Sequence, residues 1–305
     1  MKLLIYRILI FCIPILGFIL FMEISVRNFP STYKAKKEQL AACADSVKLL
    51  ILGSSSAMDG IDPTQFSVYA FNLAFAAQPL YFDIKLTEKY LAALPNLKYV
   101  VIPVNYVSLN YDGFDLAFLY NYYFDINYKG KNFWKERLLQ SLFVYSSTQV
   151  RYMVSHSIIN RPEYDLKQGW TSFPTSDLEV VTSDEKGRAR AETYNKVVNE
   201  YKGDDAILKD LEAFIVFLQS RNITPVLVSV PNYETLRKYL DESHIEKDRH
   251  AYESLAEKYN IIFLNLFADK DFVAEDFHNC DHLNEKGAAK LGSKINTEMI
   301  KAGYY

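Results

Sequence analysis

The sequence contains few of the residues that mark several classes of protein. Only three cysteines occur among its 305 residues, too few for the disulfide framework of a small secreted domain. Cys43 precedes the first predicted strand, whereas Cys280 lies near the opposite end of the same predicted sheet. A six-residue strand separates those ends by roughly 20 Å, and a disulfide needs Cα atoms within about 7 Å. We therefore predict no disulfide bond.

Positive charge is not in excess either. The chain has 34 Lys+Arg against 37 Asp+Glu, a formal net charge of −3. Nucleic-acid-binding proteins normally carry a basic face, so this balance argues against nucleic acid as a partner. The sequence also lacks a P-loop and a GxGxxG fingerprint, and the spacing of His278, Cys280 and His282 matches no standard zinc site. It predicts no metal and no cofactor.

One long apolar run is present, at the N-terminus. Leu3–Met22 contains a single charge, Arg7, and twenty helical residues rise roughly 30 Å, the thickness of the hydrocarbon core of a bilayer. Lys2 and Arg7 favour a cytoplasmic N-terminus, and the small-residue cleavage site of a signal peptide does not follow. We predict a signal-anchor transmembrane helix within 1–27 and a single-pass protein of the inner membrane, its C-terminal domain periplasmic or otherwise extracytoplasmic.

After a polar linker at 28–46, short apolar runs alternate with helical segments. Strands separated by helices indicate right-handed crossovers and a parallel sheet with helices on both faces. An aromatic-rich segment at about 106–187 interrupts this rhythm. We predict one α/β domain over 47–305, a three-layer sandwich with a central parallel sheet and an insertion at 106–187. The predicted strands are Val47–Leu52, Val68–Asn72, Tyr99–Val104, Thr224–Val230 and Ile261–Leu266.

Two polar loops stand out, because open parallel sheets bind ligands outside the carboxyl ends of their strands. Gly53-Ser54-Ser55-Ser56 follows the first strand. Glycine permits a tight turn there, and the backbone N–H groups that follow can stabilise an oxyanion, although an N-cap serine cluster has the same pattern. His282, in the loop before the last helix, can reach across to these serines. A Ser–His pair of this kind indicates nucleophilic catalysis.

The two loops resemble the first and last motif blocks of the SGNH/GDSL hydrolase superfamily. The resemblance covers about 47–110 and 204–300 and implies an SGNH, flavodoxin-like fold. The segments LILGSSSAMDGIDP, NLAFAAQPLYFD, LPNLKYVVIPVNYVSL and DHLNEKGAAKL are similar to its membrane-anchored bacterial branch, which is related to the D-alanyl-lipoteichoic-acid protein and to polysaccharide O-acetylation proteins. This likeness implies an esterase or O-acyltransferase that acts on acyl esters of a cell-envelope glycan, with a membrane-bound acyltransferase as a candidate partner.

The resemblance also assigns roles to individual residues. Ser55 matches the nucleophile, and His282 matches the general base that removes its proton. The expected oxyanion donors are the backbone N–H groups of Ser55 and Ala74 and the side-chain amide of Asn105. A plain turn asparagine is an equally good interpretation of Asn105.

One position departs from the family pattern. The acid usually stands three residues before the histidine, where this chain has Asn279. An asparagine accepts the imidazole N–H but does not stabilise an imidazolium as a carboxylate does, and such a change in a serine protease costs about 10⁴-fold in kcat. Asp281 can supply the charge, although neighbouring side chains of an extended chain usually point apart. The site is therefore either a variant triad or that of a degenerate subunit that binds glycan or an acyltransferase.

Three further residues are predicted to contact the substrate: Gln78, Tyr106 and Trp170. Gln78 lies within the second of the resembling segments. Tyr106 and Trp170 belong to the aromatic residues of the insertion, which could stack on sugar rings or could instead pack the insertion onto the sheet. Both interpretations stay open at the level of the sequence.

Overall fold

The computed structural model describes residues 2–27, 30–113, 117–128, 166–173, 175–201 and 205–305. The chain divides into two compact units, one formed by Met1–Ala35 with Asp115–Tyr164 and the other by Lys36–Phe114 with Asp165–Tyr305. Much of the predicted insertion, residues 129–165, lies outside the described residues.

The first unit contains the N-terminal helix α1 (Lys2–Arg27). The sequence predicts that this helix spans a membrane, and the structure corrects that prediction. No helix in the described part of the chain is long and apolar enough to cross a membrane. The predictions of a transmembrane helix and of a single-pass location in the inner membrane are therefore wrong.

The predicted linker is also largely helical. Helix α2 (Thr32–Cys43) carries Tyr33 at its start, within the first unit. The Tyr33 ring stacks on Tyr123 and meets Tyr120 edge-on, each at 5.6 Å between ring centroids. Both partners belong to α5 (Ala117–Phe124), so aromatic contacts consolidate this unit.

The second unit is built on a five-stranded parallel sheet with the order β2-β1-β3-β4-β5. This is the flavodoxin-like order. The predicted α/β fold with a central parallel sheet is observed, whereas the transmembrane helix placed before it is wrong. The strands are β1 (Leu49–Ile51), β2 (Ala70–Asn72), β3 (Tyr99–Val104), β4 (Thr224–Ser229) and β5 (Ile262–Asn265).

Helices cover both faces of this sheet. On one face Leu49 and Ile51 of β1 share an apolar core with Leu291 and Ile295 of the C-terminal helix. Residues that alternate with these along each strand point to the other face, where α8 (Ala206–Ser220) packs on β4, on α4 (Leu80–Tyr90) and on α10 (Glu242–Tyr259). The helices of the second unit are α3 (Ser55–Met58), α4 (Leu80–Tyr90), α6 (Leu178–Thr182), α7 (Asp184–Glu200), α8 (Ala206–Ser220), α9 (Glu234–Arg237), α10 (Glu242–Tyr259) and α11 (Glu285–Lys301).

The order of the strands determines where a ligand can bind. Strands β1 and β3 are hydrogen-bonded neighbours, although β2 lies between them along the chain. The connections that leave β1 and β3 therefore run to opposite sides and open a crevice at the carboxyl ends of the strands. Ser55 follows β1 and Asn105 follows β3, so both residues belong to the loops that border this crevice.

Candidate active site

The loop after β1 places Ser55 at the first position of α3. Gly53 precedes it with φ of +108°, and a Cβ at Gly53 would lie 3.2 Å from Cδ of Pro103, so a glycine suits this turn. The Gly53 N–H donates to Oδ1 of Asp83 on α4 at 2.8 Å, and its carbonyl accepts the Phe75 N–H at 3.1 Å. The backbone just before Ser55 is therefore fixed by hydrogen bonds to α4 and to the loop after β2.

Ser55 and His282 meet across 227 residues of sequence. Nε2 of His282 lies 2.8 Å from Oγ of Ser55. On the other side of the ring, Nδ1 lies 3.1 Å from Oδ1 of Asp281 and 3.2 Å from Oδ1 of Asn279. With the ring proton on Nδ1, the imidazole donates to these oxygens while Nε2 accepts the Ser55 hydroxyl. The chain Ser55–His282–Asp281 has the contacts of a catalytic triad.

Asn279 shapes the turn that lets two neighbouring side chains meet. Its Oδ1 accepts the backbone N–H of Asp281 at 3.0 Å and of His282 at 2.8 Å. The His278 N–H donates to the carbonyl of His282 at 2.8 Å and closes the same turn. The chain is not extended here, so the expectation that Asp281 and His282 point apart does not apply. Asn279 organises the loop, and Asp281 brings the carboxylate to the imidazole.

Asp281 is held in place from a second direction. Its side chain is only 4% exposed, and Oδ2 accepts hydrogen bonds from Nε of Arg190 at 2.7 Å and from the hydroxyl of Tyr194 at 2.5 Å. Burial by itself would raise the pKa of Asp281, but the hydrogen bond and charge of His282, with the charge of Arg190, hold that pKa well below its usual range. The carboxylate is therefore ionised at neutral pH.

Arg190 and Tyr194 are functional residues that sequence reasoning missed. They are four residues apart on α7, so both side chains point to one face of the helix. That spacing is visible in the sequence, but nothing in it identifies the distant Asp281 as their shared partner. The Arg190 guanidinium also lies over the Tyr194 ring, 4.7 Å from its centroid, which adds a cation–π contact.

The predicted oxyanion donors have different surroundings. The side-chain nitrogen of Asn105 donates to Oγ of Ser54 at 3.3 Å, while its Oδ1 accepts the Val107 N–H at 3.1 Å. The amide N–H groups of Asn105 therefore face the serine loop. The Ala74 N–H instead donates to Oδ1 of Asn72 at 3.1 Å, and Ala74 is fully buried. In this structure the Ala74 N–H is already used within its own loop and does not reach the site.

The backbone N–H of Ala77 is another candidate oxyanion donor. Ala77 lines the same cavity as Ser54 and Ser55, and its φ of 49° is left-handed. Among the described residues its N–H donates to no other group. The candidate oxyanion donors are therefore the N–H groups of Ser55 and Ala77 and the amide of Asn105.

Gln78 is the one predicted substrate contact that lines this cavity. Its side-chain nitrogen donates to Oδ1 of Asp83 at 2.5 Å, the atom that also accepts the Gly53 N–H. Burial, opposed by these two hydrogen bonds, raises the pKa of Asp83 to about 7. Gln78 and Asp83 thus join the loop after β2 to the serine loop.

Tyr106 and Trp170 both pack inside the protein. The Tyr106 hydroxyl donates to Oδ1 of Asn195 at 2.6 Å and accepts the Asp241 N–H at 3.1 Å. Trp170 is 3% exposed, and its indole N–H donates to the carbonyl of Asp59 at 3.0 Å. These contacts fit the packing interpretation of the two rings, and their contact with a substrate stays a prediction.

Two more buried ionisable groups lie near the serine loop. Lys36 is fully buried, and its ammonium group donates to the Ala74 carbonyl at 2.5 Å. Burial lowers the pKa of Lys36 to about 7, partly offset by the charge of Asp59. Burial raises the pKa of Asp59 to about 6, against the charges of His282 and Lys36. Asp59 therefore adds negative potential on the side of His282.

A cavity of about 240 Å³ adjoins Ser55. The carboxyl ends of β1 and β3, the loop after β2 and helices α4, α7 and α8 form its walls. As for metal ligands, no group of three or more His, Cys, Asp or Glu side chains that could hold an ion occurs within the described ranges.

No family model matches the sequence, and no curated protein matches it. Two solved structures share part of the fold. A GDSL-like lipase from Bacteroides thetaiotaomicron is 12% identical, with a TM-score of 0.46, over 88% of this chain and 98% of its own. A lipase/acylhydrolase from Enterococcus faecalis is also 12% identical, with a TM-score of 0.41, over 84% of this chain and 97% of its own. These structural neighbours are GDSL-like lipases and acylhydrolases at low sequence identity, so any activity must be argued from the side chains of this chain.

Proposed function

We propose that this protein is a serine esterase that cleaves acyl esters through an acyl intermediate on Ser55. One observation carries the proposal: a continuous line of contacts runs from Oγ of Ser55 to His282 at 2.8 Å and on to Asp281 at 3.1 Å. A serine hydroxyl becomes a useful nucleophile when a base accepts its proton and a third group orients that base.

The geometry supports a two-step reaction. Oγ of Ser55 attacks the carbonyl carbon of the ester while Nε2 of His282 takes its proton, and Asp281 stabilises the imidazolium that forms. The carbonyl oxygen becomes an oxyanion that the Ser55 and Ala77 N–H groups and the Asn105 amide can stabilise. The C–O bond to the alcohol then breaks, and His282 gives the proton to the departing oxygen. Water, deprotonated by His282, hydrolyses the acyl-Ser55 ester and restores the enzyme.

The finer predictions from the resemblance remain predictions. They are a glycan substrate, transfer of the acyl group to a sugar hydroxyl and an acyltransferase partner. The described part of the chain contains no helix that could serve as the membrane anchor, which was one argument for a cell-envelope substrate, and Tyr106 and Trp170 are buried. We therefore propose ester cleavage as the basic activity, with transfer as an outcome to be measured when an alcohol competes with water.

The alternative of a degenerate binding subunit depended on Asn279. The carboxylate of Asp281 lies 3.1 Å from Nδ1 of His282. It can therefore act as the acid of the site, which Asn279 cannot. Since the three groups needed for nucleophilic catalysis are in contact, the geometry favours an enzyme.

The test is hydrolysis of p-nitrophenyl esters by the wild type, Ser55→Ala and Ser56→Ala. Ser56 is the matched control because it lies in the same loop and its hydroxyl contacts Ser54 rather than His282. We expect kcat/KM of Ser55→Ala to fall at least about 10³-fold, while Ser56→Ala stays within about threefold of the wild type. Equal hydrolysis by the wild type and Ser55→Ala would overturn the proposal.

A further inference from the structure

The cavity beside Ser55 is mostly apolar. Its lining includes the aliphatic side chains of Leu80, Ile102, Val104, Val197 and Leu211. Ile102, Val104 and Leu211 are at most 3% exposed and form the packed base of the cavity, while the half-buried side chains of Leu80 and Val197 present the apolar surface that a ligand would contact. Burying apolar groups against such walls is favourable, whereas burying a charge there without a partner is costly.

Four polar side chains of the lining, those of Gln78, Asp83, Arg190 and Tyr194, bind other parts of the protein. Arg190 and Tyr194 both bind the carboxylate of Asp281. The carboxyl of Asp83 accepts from the Gly53 N–H and from the side chain of Gln78. These hydrogen bonds hold the polar side chains against the serine loop and the catalytic residues. The surface that remains for a ligand inside the cavity is mainly aliphatic.

The size of the cavity exceeds what a small acyl group would fill. Its volume is about 240 Å³, and a water-sized group takes roughly 30 Å³. The cavity therefore has room for several such groups, whereas the methyl group of an acetyl ester would fill about one. Most of the apolar wall would stay without contact in an acetyl-enzyme.

We infer that the substrates of this site are esters of straight aliphatic acids of about four to eight carbons, whose chain lies in this cavity while the carbonyl carbon faces Ser55. The inference rests on the proposed function and specifies its acyl group. It places the selectivity of the enzyme in the walls formed by β3, α4, α7 and α8 rather than in the alcohol part of the ester.

The experiment is a chain-length series of p-nitrophenyl esters, from acetyl to dodecanoyl, with kcat/KM measured for each. Each methylene that enters an apolar pocket is expected to raise kcat/KM about fourfold. We expect a steady rise from acetyl to about hexanoyl or octanoyl and then a plateau or a fall. A kcat/KM that is highest for acetyl, or that does not change with length, would overturn the inference.

Substitutions in the wall locate the chain. Val197 on α7 lines the cavity and is half-buried, so Val197→Trp should fill part of the space. The expected result is a fall of at least about tenfold in the ratio of octanoyl to acetyl kcat/KM. The matched control is Lys196→Trp, at a neighbouring position whose side chain is 71% exposed, where the ratio should stay within about twofold. Because the readout is a ratio within one preparation, partial unfolding of a variant does not imitate the effect.

Each outcome distinguishes the two proposals. If the series rises with length but Val197→Trp leaves the ratio unchanged, the chain does not lie in this cavity and the inference is wrong while the esterase proposal stands. If only acetyl ester is cleaved, and Ser55→Ala abolishes that cleavage, the inference fails in the same way. If no ester is cleaved faster than by Ser55→Ala, the proposed function is overturned, and its acyl preference with it.

Discussion

Replacing Asp281 by asparagine removes one negative charge from the site and changes the size of the side chain very little. In the wild type the carboxylate lies 3.1 Å from Nδ1 of His282 and is bound by Arg190 on its other oxygen. The substitution should therefore leave the loop in place but deprive the imidazolium of its partner in the transition state. It also leaves the positive charge of Arg190 without compensation near His282, which further disfavours protonation of the ring.

The magnitude follows from the contact. Two unit charges 3.1 Å apart interact by about 5 kcal/mol at an effective dielectric constant of about 20. Each 1.36 kcal/mol or so in the barrier is a factor of ten in rate, so this attraction corresponds to between about 10³- and 10⁴-fold in kcat. The value is an upper one, because the asparagine carbonyl can still accept the ring N–H.

The assay is steady-state hydrolysis of the best p-nitrophenyl ester near pH 7.5 by the wild type and Asp281→Asn. The matched control is Asn279→Asp, which puts a carboxylate at the family's usual position in the same turn. Since Asp281 already supplies the charge, we expect Asn279→Asp to stay within about tenfold of the wild type, with no large gain.

Two results would refute this reasoning. A kcat for Asp281→Asn within tenfold of the wild type, with folding intact by circular dichroism, would show that Asp281 is not the acid of the site. A gain of more than about a hundredfold in Asn279→Asp would show that the native site lacks an effective acid, as in a degenerate enzyme.

Three other substitutions test the elements around the nucleophile. Asn105→Ala should lower kcat about 10²- to 10³-fold with little change in KM, because an oxyanion donor acts only in the transition state; a change confined to KM would exclude that role. The pKa of Asp83 is raised to about 7, so the folded state retains a proton that the unfolded chain loses above about pH 4. The free energy of unfolding should therefore decrease between about pH 4 and 7, by on the order of 4 kcal/mol. Asp83→Asn should remove that slope in urea denaturation at pH 5 and 8, and parallel wild-type and variant profiles would contradict it. Gly53→Ala places a Cβ 3.2 Å from the Pro103 ring at φ of +108°, and should cost about 1–3 kcal/mol in urea denaturation; an unchanged midpoint would show that the turn is not strained.

Much of the sheet could be predicted because local pattern and topology agree. The apolar run Val47–Leu52 contains the observed strand Leu49–Ile51, and Tyr99–Val104 is observed with the predicted bounds. The parallel arrangement followed from the helices between the strands. The N-terminal apolar run does form a helix, Lys2–Arg27, but no helix in the described part of the chain is long and apolar enough to cross a membrane.

The site was predictable only where the chain itself carries the signal. Ser55 and His282 lie in loops with a recognisable pattern, and they are in contact. The contact between Asp281 and His282 was not predictable, because it depends on the turn that the Asn279 side chain builds. The role of Arg190 likewise depends on how close α7 lies to the loop that carries Asp281. The spacing of residues along the sequence does not reveal that distance.

The aromatic residues show a further limit. Trp170 and Tyr106 are residue types that can stack on sugar rings. In the structure the Trp170 indole N–H donates to the Asp59 carbonyl, and the Tyr106 hydroxyl donates to Asn195. A buried tyrosine or tryptophan usually finds a hydrogen-bond partner for its polar end inside the protein, and that partner is far away in the sequence. A single sequence does not contain that information.

The central claim is that Ser55 is a nucleophile activated by His282. The most direct measurement is covalent labelling of the native protein with a fluorophosphonate, followed by mapping of the modified peptide by mass spectrometry. The account predicts one adduct, on the Ser55 hydroxyl, that is absent in Ser55→Ala and formed at least about a hundredfold more slowly in His282→Gln. An adduct on another residue, or equal labelling of the wild type and Ser55→Ala, would contradict it.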